Sequence, residues 1–357
     1  MIFSRVRHQL AKSASPARIF SASFSTSQLP SVGRTLATCT NVFPERSVDI
    51  QTISPRSKVS IVGAAGNVGA SVAYSLLHRH TPVDIKLFDI NQKLLKGQSL
   101  DLADSAWLGE SMVHHSSDLS EAGDSDVIVI TAGAKQVPGE TRAQLLDRNY
   151  KVLESILSKV QPIKKDAKIL IIANPVDVLT ALAQKITGLP YNQVFGSGTL
   201  LDSARLRNHL SKILNVRQRS IHCHVLGEHG DNQFVSWSTA RVGGFPLDCF
   251  PEMKNIDKDG ISTEIANKAY DIIDSKGATY YGVGVCGAFL IHHVLANTHD
   301  VRTISCYSKK YQSYVSLPAV VNQCGVDRVL EVDLSELEQE KMNKAVAHIK
   351  EQVGQFF

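Results

Sequence analysis

His229 is the residue of this chain best placed for acid–base chemistry. It stands in Val225–Asn232, which reads Val-Leu-Gly-Glu-His-Gly-Asp-Asn, between two glycines and two acids. The apolar run before it predicts a short strand that ends in a tight turn. A histidine at a strand end, with an unperturbed pKa of about 6.5, can exchange a proton at neutral pH if a carboxylate fixes its tautomer. A solvated turn histidine would give the same local pattern, so the interpretation depends on partners elsewhere in the chain.

Asp202 and Arg205 are the candidate partners of this histidine. They lie three residues apart in a predicted helix that follows Gly196, and therefore on one helical face. Asp202 could orient the imidazole, and the guanidinium of Arg205 could bind a carboxylate through two parallel hydrogen bonds. The alternative is that the two side chains form only a local ion pair.

A glycine turn predicts a dinucleotide site. Gly63–Gly69 follows an apolar strand over Lys58–Val62 and precedes a helix over Ala70–Leu77. Glycines at such a turn let the backbone approach a pyrophosphate at the helix N-terminus. The spacing is GxxGxxG rather than GxGxxG, so a plain packing turn is also compatible with it. Asp89 ends the next predicted strand, where a carboxylate can bind both ribose hydroxyls and repel a 2′-phosphate, which favours NAD over NADP.

Two further strands are predicted over Asp126–Thr131 and Lys168–Ala173, because both are continuous apolar runs. The first opens into the polar loop 132–142, and a loop at this edge of a sheet can close over a substrate. The loop ends at Arg142, whose guanidinium could polarise a carbonyl. Asn174 follows the second strand and could present its amide at the same edge. A solvated surface loop is the alternative for the arginine segment.

The order of these elements predicts an α/β fold in two parts. We expect a doubly wound parallel-sheet (Rossmann) NAD domain over 57–195 and a mixed α/β substrate domain over 196–357. The site should lie between them, under the loop 133–145. Ser335–Glu338 has a capping-box pattern, and the apolar stripe that follows predicts a core-facing terminal helix without a chemical role.

The distribution of charge separates the first 44 residues from the rest. Five of the 38 lysines and arginines lie in 1–44, which contains no acid, and the other 33 are balanced by all 34 acidic residues. The body therefore lacks the basic surplus that nucleic acid binding requires. No apolar run reaches the ~18 residues of a spanning helix, so no membrane segment is expected. The six cysteines form neither CxxC pairs nor a metal-type cluster, which indicates a reducing compartment and no metal site.

Residues 1–56 resemble an organelle transit peptide, since they are rich in Ser, Arg and Ala. Arg18–Ser21 is similar to a mitochondrial processing site, so a mitochondrial location is expected. A plastid leader, or a disordered tail on a cytoplasmic protein, is the alternative.

Six motifs follow one another in a specific order. They are the glycine turn, the strand-end acid, the arginine loop, Asn-Pro-Val-Asp, Leu-Asp-Ser-Ala-Arg and Gly-Glu-His-Gly-Asp. Together they resemble the L-lactate/malate dehydrogenase family over about residues 57–355. The resemblance implies that the chain oxidises a 2-hydroxy acid with NAD.

The resemblance also implies a role for each catalytic candidate. His229 would accept or donate the substrate proton, and Asp202 would hold it. Arg205 would bind the substrate carboxylate, and Arg142 would polarise the carbonyl as the loop closes. Asn174 would contact both substrate and nicotinamide. The implied NAD-binding residues are Gly63, Gly66, Val68, Gly69, Asp89, Gly133, Ala134, Ser155, Asn174 and Ser197.

Gln136 and Thr279 favour pyruvate and L-lactate as the substrates. By resemblance, an arginine at position 136 would pair with the second carboxylate of malate, whereas a neutral glutamine leaves that buried charge without a partner. Thr279 resembles the residue beside the substrate methyl in lactate enzymes. The GxxGxxG spacing and the leader are more typical of malate dehydrogenases, so malate dehydrogenase is the alternative. A non-catalytic relative would tolerate loss of His229 or Arg205, and both are present.

Arg207 and His222 resemble the residues that bind fructose 1,6-bisphosphate between subunits of allosteric bacterial lactate dehydrogenases. Arg207 lies two residues after Arg205 and therefore points to another face of the helix. Both side chains can meet a phosphate. The resemblance thus implies a homotetramer with this effector, and the alternative is that both are ordinary polar residues.

Overall fold

A sheet of eleven strands runs through the chain, whose computed structural model describes residues 56–79, 81–134, 139 and 141–357. The leader prediction for 1–56 and the prediction for Gln136 therefore lie outside the described residues, apart from Arg56. The strands are β1 (Ser57–Val62), β2 (Val83–Phe88), β3 (Met112–His115), β4 (Val127–Ile130), β5 (Lys168–Ile171), β6 (Val194–Gly196), β7 (Ile221–His222), β8 (Val225–Gly227), β9 (Gln233–Val235), β10 (Arg241–Val242), β11 (Phe245–Pro246), β12 (Asp300–Ser308), β13 (Ser313–Asn322) and β14 (Gly325–Val329). The α-helices are α1 (Asn67–Leu77), α2 (Gln92–Ser105), α3 (Arg142–Lys159), α4 (Val176–Thr187), α5 (Leu200–Leu214), α6 (Lys258–Lys276), α7 (Tyr281–Leu295) and α8 (Glu336–Val353).

Six parallel strands form the first half of the sheet, in the order β3-β2-β1-β4-β5-β6. All four residues of β4 are buried, as the continuous apolar run at Val127–Ile130 predicts for a strand covered on both faces. This order places the turn after β1 beside the centre of the sheet, where the strand order reverses and α/β proteins bind ligands. The predicted parallel-sheet architecture is confirmed.

The second half of the sheet is antiparallel. β12 pairs with β6, β13 pairs with β12, and β8 and β9 complete the edge. All ten residues of β13 are buried, so this strand forms the centre of the second half. The predicted mixed α/β region is therefore confirmed, and its strands continue the parallel sheet.

Of two predicted helices, one begins earlier than expected and the other agrees with the prediction. The helix expected to begin at Ala70 begins at Asn67, because Gly66 already occupies the N-cap position. The last residues of the glycine turn thus form the first turn of α1. The terminal helix α8 has the predicted capping box between Ser335 and Glu338, and its apolar stripe is buried.

Among the described residues, none of the helices is long and apolar enough to cross a bilayer. The same residues contain no cluster of His, Cys, Asp and Glu that could hold a metal ion.

Candidate active site

The imidazole of His229 is bonded to a buried carboxylate. Its Nδ1 lies 2.8 Å from Oδ2 of Asp202, whose other oxygen, Oδ1, lies 3.2 Å from a guanidinium nitrogen of Arg205. Asp202 is only 1% exposed, so this ion network is largely shielded from water. The structure thus brings together the three residues that the sequence analysis expected to meet. The local Asp–Arg pair named there as an alternative forms as well, within the same network.

The charges around His229 favour its protonated state. Burial alone disfavours the imidazolium, but the charge and hydrogen bond of Asp202 outweigh it and raise the pKa of His229. Burial likewise opposes ionisation of Asp202, yet the neighbouring His229 lowers the pKa of that carboxyl. An ionised carboxylate can only accept a hydrogen bond, so Nδ1 of His229 carries a proton and donates it to Asp202. The remaining ring nitrogen, Nε2, is therefore the one that can exchange a proton with a ligand.

Helix α5 fixes the strand that carries His229. The N–H of Val225 donates to Oγ of Ser203 at 2.9 Å, and Oγ1 of Thr199 donates to the carbonyl of Val225 at 2.5 Å. β8 then ends at Gly227, whose φ of +94° is favourable only for glycine. A Cβ there would lie 2.6 Å from the carbonyl oxygen of Asn232, so the turn that presents His229 needs this glycine.

Asp177 is a second carboxylate at His229, and the sequence analysis gave it no role. It lies in the first turn of α4 and is 1% exposed. Its Oδ2 accepts the backbone N–H of His229 at 2.8 Å, and its Oδ1 accepts the hydroxyl of Ser316 at 2.9 Å. Its place in Asn-Pro-Val-Asp, directly after a predicted strand end, was the only available signal.

His229 faces a cavity of about 650 Å³ at the carboxyl edge of the parallel strands. Asn174 and Thr279, both expected at the substrate, line it together with the predicted cofactor residues Val68, Gly133 and Ala134. The cavity is therefore lined by candidate residues from both halves of the chain, between which the site was expected.

Helix α8 contributes two cavity residues that the sequence analysis missed, since it assigned this helix no chemistry. His348 and Gln352, which lie beside the apolar stripe and are not part of it, line the cavity. Nδ1 of His348 lies 2.7 Å from Oε2 of Glu228, which also accepts the amide of Asn232 at 2.8 Å. The terminal helix is thus bonded to the turn that carries His229.

Asn149 joins two edges of this cavity and was also missed. This buried residue of α3 accepts the N–H of Ala134 through Oδ1 at 2.6 Å. Its Nδ2 donates to the carbonyl of Asn174 at 2.7 Å. An asparagine inside a helix carries no sequence signal for such a role, because its two partners are 15 and 25 residues away.

A second cavity, of about 740 Å³, lies beside the glycine turn. Predicted cofactor residues line it at Gly63, Gly66, Asp89, Gly133, Ala134 and Ser155. Thr131, Gly133 and Ala134 line both cavities, so the two form one continuous groove.

The glycine turn fits the pyrophosphate of a dinucleotide. Gly63 has a φ of +90°, and a Cβ on it would lie 2.5 Å from the backbone nitrogen of Ala132. Gly66 caps α1 without a side-chain hydrogen bond, which leaves the first N–H groups of the helix open to an anion. Asp89 lines the groove and accepts the N–H groups of Ala65 and Asn91 at 3.0 and 2.9 Å, so its carboxylate is held at the groove wall.

Two other predicted cofactor residues do not line either cavity. Gly69 lies beneath the turn, where a Cβ would be 2.5 Å from the carbonyl oxygen of Gly63. Its absent side chain therefore lets α1 approach the turn. Ser197 is buried directly after β6, and its N–H donates to the carbonyl of Ile171.

The loop candidates lie partly outside the described residues. Gln136 is not described, and Arg142 begins α3 but its side chain is not described. Thr141 caps α3 in a capping box with Gln144, which fixes where the loop ends.

The effector candidates Arg207 and His222 lie near each other. Nε of Arg207 donates to the carbonyl of Cys223, the neighbour of His222, at 3.2 Å. Burial and the nearby Arg302 lower the pKa of Arg207. His222 is exposed in β7, opposite Arg241 of β10.

Comparison with known proteins agrees with this arrangement. Residues 57–196 match the family model of the lactate/malate dehydrogenase NAD binding domain, and residues 199–357 match that of the lactate/malate dehydrogenase alpha/beta C-terminal domain. The L-lactate dehydrogenase A of Rhizopus oryzae is 47% identical over 294 residues, which are 82% of this chain and 91% of that protein. The L-lactate dehydrogenase of Kosmotoga olearia is 39% identical over 305 residues, 82% of this chain and 94% of that protein.

Solved structures give the same picture. The minor L-lactate dehydrogenase of Enterococcus mundtii superposes with a TM-score of 0.80 at 32% identity, covering 85% of this chain and 99% of that one. MGS-M5, a lactate dehydrogenase from a Medee basin deep-sea metagenome, superposes with a TM-score of 0.79 at 33% identity, covering 84% and 99%.

Proposed function

Because this chain belongs to the lactate/malate dehydrogenase family, we propose that it is an NAD-dependent L-lactate dehydrogenase that interconverts pyruvate and L-lactate. The observation that carries the proposal is the Arg205–Asp202–His229 network, which ends at a cavity continuous with the glycine-turn groove. The names of the relatives support lactate as the substrate.

In this proposal His229 moves the substrate proton. Asp202 holds Nδ1, so Nε2 points its proton or its lone pair at the substrate oxygen. The protonated ring donates that proton when pyruvate is reduced. The neutral ring accepts the hydroxyl proton when lactate is oxidised. The raised pKa of His229 keeps the donor form available at neutral pH.

Other residues bind and orient the substrate. Arg205 binds its carboxylate, and Arg142 polarises its carbonyl when the loop 133–145 closes and excludes water. Asn174 contacts the substrate, and Thr279 lies beside its methyl group. Asn174 and Thr279 line the cavity that contains His229, which supports these two assignments.

The cofactor of the proposed reaction is NAD, and the residues of the groove fit it. Gly63 and Gly66 make room for the pyrophosphate at the open N-terminus of α1. Asp89 accepts the hydroxyls of the adenosine ribose and disfavours a 2′-phosphate. NAD, when bound, accepts the hydride from lactate or, as NADH, supplies it to pyruvate.

Malate dehydrogenase is the second candidate, and direct assay separates the two. The decrease of NADH absorbance is followed with pyruvate and, in parallel, with oxaloacetate. Pyruvate should give the higher kcat/KM, since Gln136 offers no positive charge to a second carboxylate. A higher kcat/KM with oxaloacetate would make the chain a malate dehydrogenase. No turnover of either would favour a non-catalytic relative.

Gln136→Arg is the matched variant. The arginine should raise kcat/KM for oxaloacetate relative to pyruvate, since it would pair with the second carboxylate. An unchanged ratio would remove Gln136 from substrate selection.

We further propose a homotetramer that responds to fructose 1,6-bisphosphate through Arg207 and His222. The proximity of Arg302 to Arg207 supports a site of positive charge there, and the bond from Arg207 to the carbonyl of Cys223 places this charge beside the chain neighbour of His222. Pyruvate saturation curves with and without the bisphosphate test the effector, and sedimentation tests the assembly. Superimposable curves would refute the effector role and leave the dehydrogenase proposal unaffected.

The leader prediction becomes the proposal that residues 1–56 direct the protein to mitochondria. Its test is the location of a fluorescent fusion with and without these residues. Cytoplasmic or plastid fluorescence of the full fusion would refute it.

A further inference from the structure

His229 is held by carboxylates from two different helices. Asp202 of α5 accepts a hydrogen bond from the ring, and Asp177 of α4 accepts one from the backbone N–H. Both carboxylates are 1% exposed. The ring contact belongs to the proposed proton-transfer pair, whereas the contact with Asp177 has no part in the mechanism described above.

We propose that Asp177 is a positioning residue whose negative charge biases His229 toward the protonated form that reduces pyruvate. The proposal rests on the dehydrogenase function proposed above and extends it to one further residue.

The contacts of Asp177 fit an ionised carboxylate. One oxygen meets an N–H, which can only donate, and the other meets the hydroxyl of Ser316, which is free to donate. Asp177 also lies in the first turn of a twelve-residue helix, where the partial positive charge of the helix terminus stabilises an anion. Burial opposes this and raises the pKa of Asp177, while the hydrogen bonds from the His229 N–H and the Ser316 hydroxyl act in the other direction and lower it.

With Asp177 and Asp202 both ionised, as the proposal requires, the charges facing His229 balance only when its ring is protonated. Two buried carboxylates, Asp177 and Asp202, stand against one cation, Arg205. A neutral imidazole therefore leaves one net negative charge, which the imidazolium cancels. The charge of Asp177, after the larger contribution of Asp202, is among the causes that raise the pKa of His229.

The remaining charged groups near the ring lie on its own turn and on α8. Glu228 and Asp231 flank the histidine in the chain and line the same cavity. Glu228 is hydrogen-bonded to His348, so the electrostatic effect of Glu228 on His229 depends on that pair. None of these groups changes when Asp177 is neutralised, so a variant at this position isolates one charge.

Asp177→Asn tests the proposal because it removes the charge and keeps the shape. Its Oδ1 can still accept the N–H of His229, and its amide can donate to the oxygen of Ser316. The measurement is the pH profile of kcat/KM for pyruvate reduction and for lactate oxidation. We expect the midpoints of both profiles to move down by about one pH unit, because a nearby negative charge no longer stabilises the imidazolium.

Asp177→Glu is the matched control, since it keeps the negative charge and changes the shape of the side chain. Its midpoints should stay at the wild-type values, even if its rates fall. A merely structural Asp177 would give Asp177→Asn lower rates with unmoved midpoints, and that result would overturn the proposal.

Asp177→Ser provides a second neutral variant in case the asparagine protein fails to fold. Failure of both variants to fold would also count against the proposal, since it would show that the carboxylate is required for folding. The wild-type assay separates this test from the proposed function. If the wild-type protein reduces pyruvate and the neutral Asp177 variants have the same midpoints as the wild type, only the role of Asp177 is refuted.

Discussion

Nδ1 of His348, on the C-terminal helix, lies 2.7 Å from the carboxylate of Glu228, the residue immediately before His229. Glu228 is buried, and its other described partner is the amide of Asn232. This bond connects the last helix of the chain to the turn that presents His229. Loss of the His348 side chain should therefore affect the site more than loss of an exposed helical side chain would.

His348→Ala should raise KM for pyruvate about threefold to tenfold and reduce the free energy of unfolding by about 1 kcal/mol, the value of one partly exposed hydrogen bond to a charged group. His348→Asn keeps a donor near the position of Nδ1 and should restore most of both quantities. Steady-state kinetics and urea unfolding measure them. If His348→Ala has the wild-type KM and free energy of unfolding, the bond between His348 and Glu228 contributes to neither quantity.

The raised pKa of His229 sets the direction of the pH dependence. In the proposed mechanism pyruvate reduction needs the imidazolium, so its kcat/KM should be constant below this pKa and fall about tenfold per pH unit above it. Lactate oxidation needs the neutral ring and should rise with pH over the same range. Initial rates in both directions across pH 5–10 check the prediction. Reduction that accelerates with rising pH would contradict it.

Replacement of His229 by Asn should reduce turnover by a factor of about 10²–10⁴, the scale of a lost general acid–base. Binding of NADH should remain near the wild-type level, because the glycine-turn groove contains no part of this side chain. Fluorescence titration with NADH and steady-state rates separate the two effects. Near-normal turnover would exclude His229 from proton transfer.

Asp89 should determine the preference for NAD over NADP. Asp89→Asn keeps the size of the side chain at the groove wall but removes the charge that would repel a 2′-phosphate, so the ratio of kcat/KM for the two cofactors should fall. Asp104→Asn, on the exposed side of α2, is the control and should leave the ratio unchanged. If the ratio of kcat/KM for NAD to that for NADP is the same in Asp89→Asn as in Asp104→Asn, this would count against Asp89 as the residue that binds the ribose.

Gly69 should be intolerant of any side chain. A Cβ there would meet the backbone of Gly63 and Ala64 at 2.5 and 2.7 Å, so Gly69→Ala should destabilise the protein by about 1–3 kcal/mol and weaken NADH binding by displacing the turn. Gly97→Ala, in the exposed part of α2, has nothing within 4 Å and should instead stabilise by about 0.5–1 kcal/mol. Thermal unfolding of both variants checks the contrast; similar changes in the two would refute the packing role of Gly69.

The sequence by itself determined the parallel half of the sheet and the main groups of the site. Buried parallel strands are continuous apolar runs, so Val127–Ile130 and Lys168–Ile171 were recognisable without any tertiary information. The glycine turn and the histidine turn were recognisable because each needs residue types that few other local structures require. Asp202 and Arg205 followed from helical spacing.

Only the tertiary structure decided which distant groups support His229. Asp177 precedes it by 52 residues, and His348 follows Glu228 by 120, so no local period relates either pair. Asn149, in the middle of α3, looks like any polar helical residue until Ala134 and Asn174 are brought against it. Such contacts depend on how the helices pack against the sheet, and that packing is fixed by the whole buried core rather than by the residues in contact.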